Sequence, residues 1–223
     1  MGRLSYAAAY AEQVRRVEEV LAARANPEGH LGVLLLVEHP PVITISHRAG
    51  ASNHLLATPA LLSANGIEVH ETDRGGDITY HGPGQIVAYP ILDLNRLNLG
   101  LHEYMRLLEQ AVIDTCAAFG IRGERDPKAT GVWVDGAKIA AFGVRVRKWI
   151  SMHGLALNVT TDLSHFGLIV PCGLHGRPVT SMNTLLGAAC PSVDEVRRTL
   201  RGHLTRLIIG AWETACVKRS GVV

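Results

Sequence analysis

The chain has 223 residues, 47% of them hydrophobic, which is enough to bury a substantial core. Lys and Arg number 22 against 20 acidic residues, a net charge of +2, which excludes the strong basic excess of a general nucleic-acid binder and leaves anionic partners to local patches. The opening MGRLSYAAAYAEQVRR turns charged and helical at once, and Tyr6 stands where a myristoylation signal needs Ser or Thr. The expectation is therefore no signal peptide, no membrane partner and a cytoplasmic location.

In chain order, Tyr10, Val14, Val17 and Leu21 give a first helix its apolar face, with Ser5 as cap and Asn26-Pro27 as stop. VLLLVEH and PPVITISHR read as strands. TPALLSANG is a short helix with Thr58 as N-cap, Pro59 at N1 and Gly66 just past its end, and IEVHETD returns the chain to a sheet. DITYHG and QIVAYPILDL are two β-rich runs around Gly-Pro-Gly. Leu101, Met105, Leu108, Val112, Cys116 and Phe119 then form a helical stripe ending at Gly120.

In the second half, GVWV and AKIAAFGVRVRKW flank Asp135-Gly136, a type I′ hairpin dipeptide, and SMHGLALNV is a further strand. The last helix opens on a capping box, Ser192 to Glu195, and runs toward Gly210. With no repeats and no Ser/Gly/Pro-rich linker, residues 1–223 read as one α+β domain, a mixed sheet with flanking helices.

The four cysteines, Cys116, Cys172, Cys190 and Cys216, are widely spaced and are expected to be reduced. Cys116 belongs to the core stripe, and Cys190 and Cys216 read as structural or incidental. Cys172 stands between proline and glycine in LIVPCGLHGRPVTS, where local sequence alone is even between packing and chemistry. HEYMR ends in Arg106 where a zincin helix needs His, and Cys172 with His175 is half of a zinc site, so no metal is expected. The glycine-rich DRGGDITYHGPGQIVAYP must bend sharply or let something approach closely, as a bulged hairpin or as a substrate site. It lacks G-x-x-x-x-G-K-[ST], so no nucleotide cofactor is expected.

RGGDITYHGPGQIVAYPILDL, GVWVDGAKIAAFGVRV, HGLALNV and IVPCGLHGRPVTS resemble, in this order and spacing, the signature blocks of the octanoyl-acyl-carrier-protein:protein N-octanoyltransferases of lipoate biosynthesis, the LipB family. The resemblance implies the catalytic-domain fold of biotin and lipoate ligases. It implies transfer of an octanoyl group from octanoyl-acyl carrier protein to a lysine of lipoyl domains, those of 2-oxoacid dehydrogenases and the glycine cleavage H protein. A thioester donor makes ATP unnecessary and suits a thiol relay, since thiolates attack and leave well.

By the same resemblance Cys172 is the nucleophile and Lys138 its proton partner: as an ammonium it would favour the thiolate, and as a neutral amine in a dry pocket it would take and return the proton in the two transfers. Arg74, Gly75, Gly76, Asp77, Ile78, Thr79, Tyr80 and His81 bind substrate. His153 is placed like His81 as substrate-binding, and Ala141, Phe142 and Gly143 join Gly154, Leu155 and Ala156 as the acyl site. Burying an eight-carbon tail there contributes about 4–5 kcal/mol. Backbone N–H groups of either strand, or of the Arg74 to His81 loop, are candidates for the oxyanion. Arg145, Arg147 and Lys148 form a basic patch, suited to an acidic carrier protein or simply solvated. Two alternatives are an ATP-dependent lipoate or biotin ligase of the same fold and a non-catalytic acyl-binding or carrier-docking module.

Overall fold

The computed structural model describes residues 2–26, 28–171 and 176–220, so Pro27 and the segment 172–175 lie outside the described residues. The elements are α1 (Tyr6–Ala23), β1 (Gly32–Val37), β2 (Val42–Ser46), α2 (Pro59–Ala64), β3 (Glu68–Thr72), β4 (Ile78–His81), β5 (Gln85–Leu92), α3 (Leu101–Ala118), β6 (Glu124–Asp126), β7 (Ala129–Val134), β8 (Ala137–Arg147), β9 (Ile150–Asn158), α4 (Met182–Leu186) and α5 (Val193–Arg219). No described helix is long and apolar enough to cross a membrane.

The strands form two sheets: six in the order β1-β5-β9-β8-β7-β6, all antiparallel, and three in the order β3-β2-β4. Parallel pairing occurs in the small sheet, where β3 runs with β2 while β4 opposes it. The two β-rich runs around Gly-Pro-Gly are therefore not a hairpin. β4 ends in one sheet and β5 begins in the other, and Gly82 to Gly84 carries the chain between them.

One face of the large sheet packs on α3 and α5 through Leu108, Val112, Cys116, Leu200 and Leu204. The other packs on α1 through Ala9, Val17 and Val20. The small sheet has its own core, with Ile43, Ile78 and Tyr80 against Phe166 and Ile169. Burial pushes the Cys116 thiol up to about 12, which keeps it inert.

Local signals act as expected at most element ends. Ser5 accepts from Ala8 N–H, Thr58 from Leu61 N–H, and Ser192 and Glu195 form the capping box. Asp135 and Gly136 both hold positive φ, as a type I′ turn requires. Two expectations differ. The buried face of α1 is Tyr6, Ala9, Gln13, Val17 and Val20, while Val14 is 41% exposed. The stripe includes a glutamine that spends its carbonyl on a strand, which an apolar pattern does not reveal. α5 also continues through Gly210 to Arg219. A helical glycine costs about 1 kcal/mol; beyond it, Ala215 is buried and Arg96 and Arg219 both lie over the Trp212 ring.

Candidate active site

The site lies on the α1 side of the large sheet, where the small sheet leans over it. After β3 the chain turns through Asp73, Arg74, Gly75 and Gly76. Gly75 N–H donates to Val144 O at 2.9 Å, Gly76 has φ +93°, and a β-carbon on Gly143 would stand 2.7 Å from Gly75 O. The glycines thus let the loop rest directly on β8. Arg74 ties the loop to β2: its guanidinium donates to Thr44 O at 2.8 Å, to Thr44 Oγ1 at 3.0 Å and to Gly75 O at 3.1 Å.

Asp77 is buried and accepts from Ile78 N–H and from His54 Nδ1. The His54 carbonyl in turn accepts from Val170 N–H at 2.8 Å, two residues before Cys172. A residue expected to bind substrate therefore also anchors the approach to the cysteine segment.

A cavity is lined by Arg74, Gly76, Asp77, Ile78, Thr79 and His81 from this side, by Ala141, Phe142 and Gly143 of β8, and by His153, Gly154, Leu155 and Ala156 of β9. Gly143 pairs with Gly154 and Ala141 with Ala156, so small side chains meet across two strands and leave a trough. Two residues expected at the site stand apart from this wall. Gly75 acts through the loop, and Tyr80 points into the small sheet's core, where its hydroxyl meets His165 Nδ1 at 2.8 Å. Adjacent residues of a strand face opposite ways, so Tyr80 and His81 cannot share a face. Tyr6, Val87 and Tyr89 also line the cavity. The sequence does not single them out, because nothing in an apolar residue's local sequence separates a cavity wall from a packed interior.

The two histidines are held differently. His81 Nδ1 is 2.7 Å from Gln85 Oε1, and Gln85 Nε2 donates to Asn158 Oδ1 and to Tyr80 O. With that amide orientation Nδ1 carries the proton and Nε2 is left as an acceptor. His153 has φ +58°; its N–H donates to Gln13 Oε1 and its Nε2–H to Asp73 Oδ1 at 2.8 Å. Asp73 also accepts from Tyr10 and pairs with Arg145, so that carboxylate is already neutralised and one arginine of the basic patch is committed.

Burial, with His39 beside it, pushes His81 down to about 3. Burial, then Arg74 and Arg145, does the same to His153. Both imidazoles are neutral in the fold, whereas in the unfolded chain each binds a proton near pH 6.5. Their stabilising effect is complete above pH 6.5 and is lost as pH falls from there toward 3, on the order of 1 kcal/mol per pH unit for each. Thermal unfolding followed from pH 7.5 to pH 5 should show a steep fall in midpoint below pH 6.5; a flat profile would contradict the neutral pair.

A second, smaller cavity shares Thr79, Ala141 and Ala156 with the first and adds Lys138, Gln85, Asn158 and Pro171. Lys138 lies at a β-bulge: Val132 pairs with Ala140 and Trp133 with Lys138, so β8 carries one extra residue there. Bulges re-aim side chains, and this one stands beside the candidate base. Lys138 is 6% exposed, and its Nζ is 4.8 Å from the Trp133 ring centroid. Gly131 makes room for its stem, since a β-carbon there would stand 3.0 Å from Lys138 Cε.

The chain leaving the cysteine segment is strapped to this lysine. Lys138 N–H donates to Pro178 O and Thr180 N–H to Lys138 O, each at 2.9 Å. Asn158 Nδ2 donates to Thr180 O, which links the strap to Gln85 and His81. Arg177 stacks on Trp133 at 3.8 Å and pairs with Asp126. Cys172 itself, with His175, lies outside the described residues. Pro171, one peptide bond before it, lines the cavity of Lys138. The arrangement couples an amine in a small polar-ended cavity to an apolar trough, which suits chemistry at the head of a chain-like substrate.

Residues 10–205 match the family model of the lipoyl protein ligase A/B catalytic domain. Among curated proteins, the octanoyltransferase of Geobacter metallireducens is 45% identical over 93% of this chain and 91% of its own. That of Solibacter usitatus is 49% identical over 93% of this chain and 90% of its own. Among solved structures, a lipoate-protein ligase A bound with ATP aligns with a TM-score of 0.70 at 18% identity, over 89% of this chain and 81% of that one. A bipartite lipoate protein ligase from Thermoplasma acidophilum aligns at 0.66 and 17%, over 88% and 79%. At these identities the solved structures speak to the fold, a mixed α+β architecture with flanking helices.

Proposed function

The chain belongs to the lipoyl protein ligase A/B catalytic-domain family and within it to the octanoyltransferases, and from that premise we propose that it moves an octanoyl group through a thioester on Cys172, with Lys138 handling the proton. It is an acyltransferase that serves lipoate biosynthesis, taking an acyl donor and lipoyl-domain acceptors. The finer partners belong to the proposal: octanoyl-acyl carrier protein as donor, the lipoyl domains of 2-oxoacid dehydrogenases and the glycine cleavage H protein as acceptors, and the cytoplasm as compartment.

One observation carries the reading. Lys138 and Pro171, the residue next to Cys172, line one cavity that shares its wall with the apolar trough. In the first half-reaction Lys138 takes the Cys172 proton, the thiolate attacks the donor thioester, and the donor thiol leaves with that proton. In the second, the neutral amine of the acceptor lysine attacks the acyl-enzyme, Lys138 takes its proton, and Cys172 departs as a thiolate that the proton then returns to. A thioester is consumed and an amide formed, so the exchange is downhill without ATP. The trough takes the tail, and Gln85 and Asn158 hold His81 and the strap beneath Lys138.

Intact-mass measurement after incubation with octanoyl-acyl carrier protein should show one added octanoyl group that a lipoyl-domain acceptor removes. The adduct should be absent from Cys172→Ser. An unmodified wild-type mass, or an adduct that survives Cys172→Ser, contradicts the covalent route. Transfer that requires free octanoate and ATP would place the chain with the ligases.

A further inference from the structure

His81 ends β4 in the small sheet, Gln85 begins β5 in the large one, Asn158 ends β9, and Thr180 belongs to the strap that leaves the cysteine segment. All four are buried, and one run of hydrogen bonds crosses them. The run has a direction, and backbone carbonyls fix it. Thr180 O can only accept, so Asn158 turns Nδ2 to it, at 3.0 Å, and Oδ1 to Gln85. Gln85 must then present Nε2, which lies 2.9 Å from Asn158 Oδ1 and 3.2 Å from a second carbonyl, Tyr80 O. Its Oε1 is left facing His81 Nδ1 at 2.7 Å, and that nitrogen must carry the proton of the ring. Two backbone carbonyls thus choose the tautomer of an imidazole to which neither is hydrogen-bonded, and Nε2 keeps its lone pair. The ring lines the trough, Gln85 lines the cavity of Lys138, and Thr79, on the same face of β4 as His81, lines both. His81 therefore stands where the two cavities meet.

We infer that Gln85 is a positioning residue for the second half-reaction: it holds His81 as the Nδ1–H tautomer, so that Nε2 accepts a hydrogen bond from the acceptor lysine's amine as it attacks the acyl-enzyme. This rests on the thioester route through Cys172. A primary amine brings two N–H bonds. As its nitrogen bonds to the acyl carbon and the C–S bond breaks, one proton passes to Lys138 and then to the Cys172 thiolate, and the other stays on the new amide. His81 holds the one that stays, which aims the lone pair of the amine at the carbonyl. Burial, with His39 beside it, keeps His81 at about 3, so it accepts this hydrogen bond without taking the proton. In the opposite tautomer Nε2–H would meet the amine donor to donor.

Two measurements test this. Long-range proton–nitrogen correlation spectra of histidine-labelled wild type near neutral pH, with His81 assigned by its loss in His81→Asn, should show Nδ1 protonated and Nε2 bare. Gln85→Met keeps the length of the side chain and removes both polar atoms, so the Nε2–H form should emerge. A wild-type His81 protonated on Nε2 overturns the inference whether or not the variant folds. The second measurement separates the half-reactions in single turnover: acylation of Cys172 by octanoyl-acyl carrier protein, then transfer from the isolated acyl-enzyme to a lipoyl domain. A hydrogen bond lost from a group that becomes charged is worth about tenfold or more, so Gln85→Met should slow the transfer by about tenfold or more beyond any slowing of acylation. Equal slowing of both steps makes Gln85 a structural residue and overturns the inference. Failure of wild type to acylate Cys172 overturns instead the thioester route on which it rests.

Discussion

Replacing Lys138 by methionine is expected to slow acyl transfer by about 10²–10⁴-fold, the usual worth of a positioned proton carrier. The substitution keeps an unbranched stem that fits over Gly131 and leaves both backbone hydrogen bonds to the 178–180 strap in place. The fold should therefore persist, which unfolding measured beside the rate would show. Lys138→Arg separates two roles. A guanidinium keeps the positive charge but does not release a proton, so it restores a rate that depends on charge alone and leaves a proton-transfer step slow. Single-turnover acylation of Cys172, followed by quench and mass measurement, reads the step directly. A wild-type rate in Lys138→Met would remove this lysine from the chemistry.

The second large effect is on stability. A β-carbon on Gly154 would stand 2.2 Å from Ala88 O and 2.8 Å from Pro90 Cδ, inside the β5–β9 pair at the centre of the large sheet. The obstacle is partly backbone and cannot rotate away. Gly154→Ala must therefore part the strands or shift β9, and a loss of about 3 kcal/mol or more is expected. At about 2–4 °C per kcal/mol for a chain of this size, the unfolding midpoint should drop by roughly 6–12 °C. Gly210→Ala is the contrast. That glycine lies inside α5 with open space around its missing β-carbon, so alanine should raise stability by about 0.5–1 kcal/mol. Equal midpoints for the two variants would show that the close approach at Gly154 is relaxed at little cost.

Sequence reading reached much of the site because several of its parts announce themselves locally. Gly75 and Gly76 advertise a chain that must lie flat on something. Ala141 to Gly143 and Gly154 to Ala156 are low-volume stretches in strands that would otherwise carry bulk. Family resemblance supplied what spacing cannot, the association of Lys138 with a cysteine 34 positions later. Residues whose value lies in contact across the chain went unnoticed. Gln85 and Asn158 stand inside quoted blocks, yet their task is to bond each other across two strands. Gln13 looks like a polar interruption of an amphipathic helix until His153 N–H is found against it.

By itself the sequence determined the helix caps, the Asp135-Gly136 turn, the inert Cys116 and the family. Each depends on neighbours a few residues apart, or on blocks whose order survives without knowledge of the fold. Tertiary structure alone decided that β4 and β5 belong to different sheets, that Tyr80 turns away while Tyr6 and Tyr89 line the cavity, and that Arg74 and Asp77 spend their polar groups holding loops in place. The reason is physical. A strand's side chains have a period of two, which gives two possible faces but not which of them meets a cavity. That choice is made by what packs on the other side, and here it is an N-terminal helix and a second sheet drawn from distant parts of the chain.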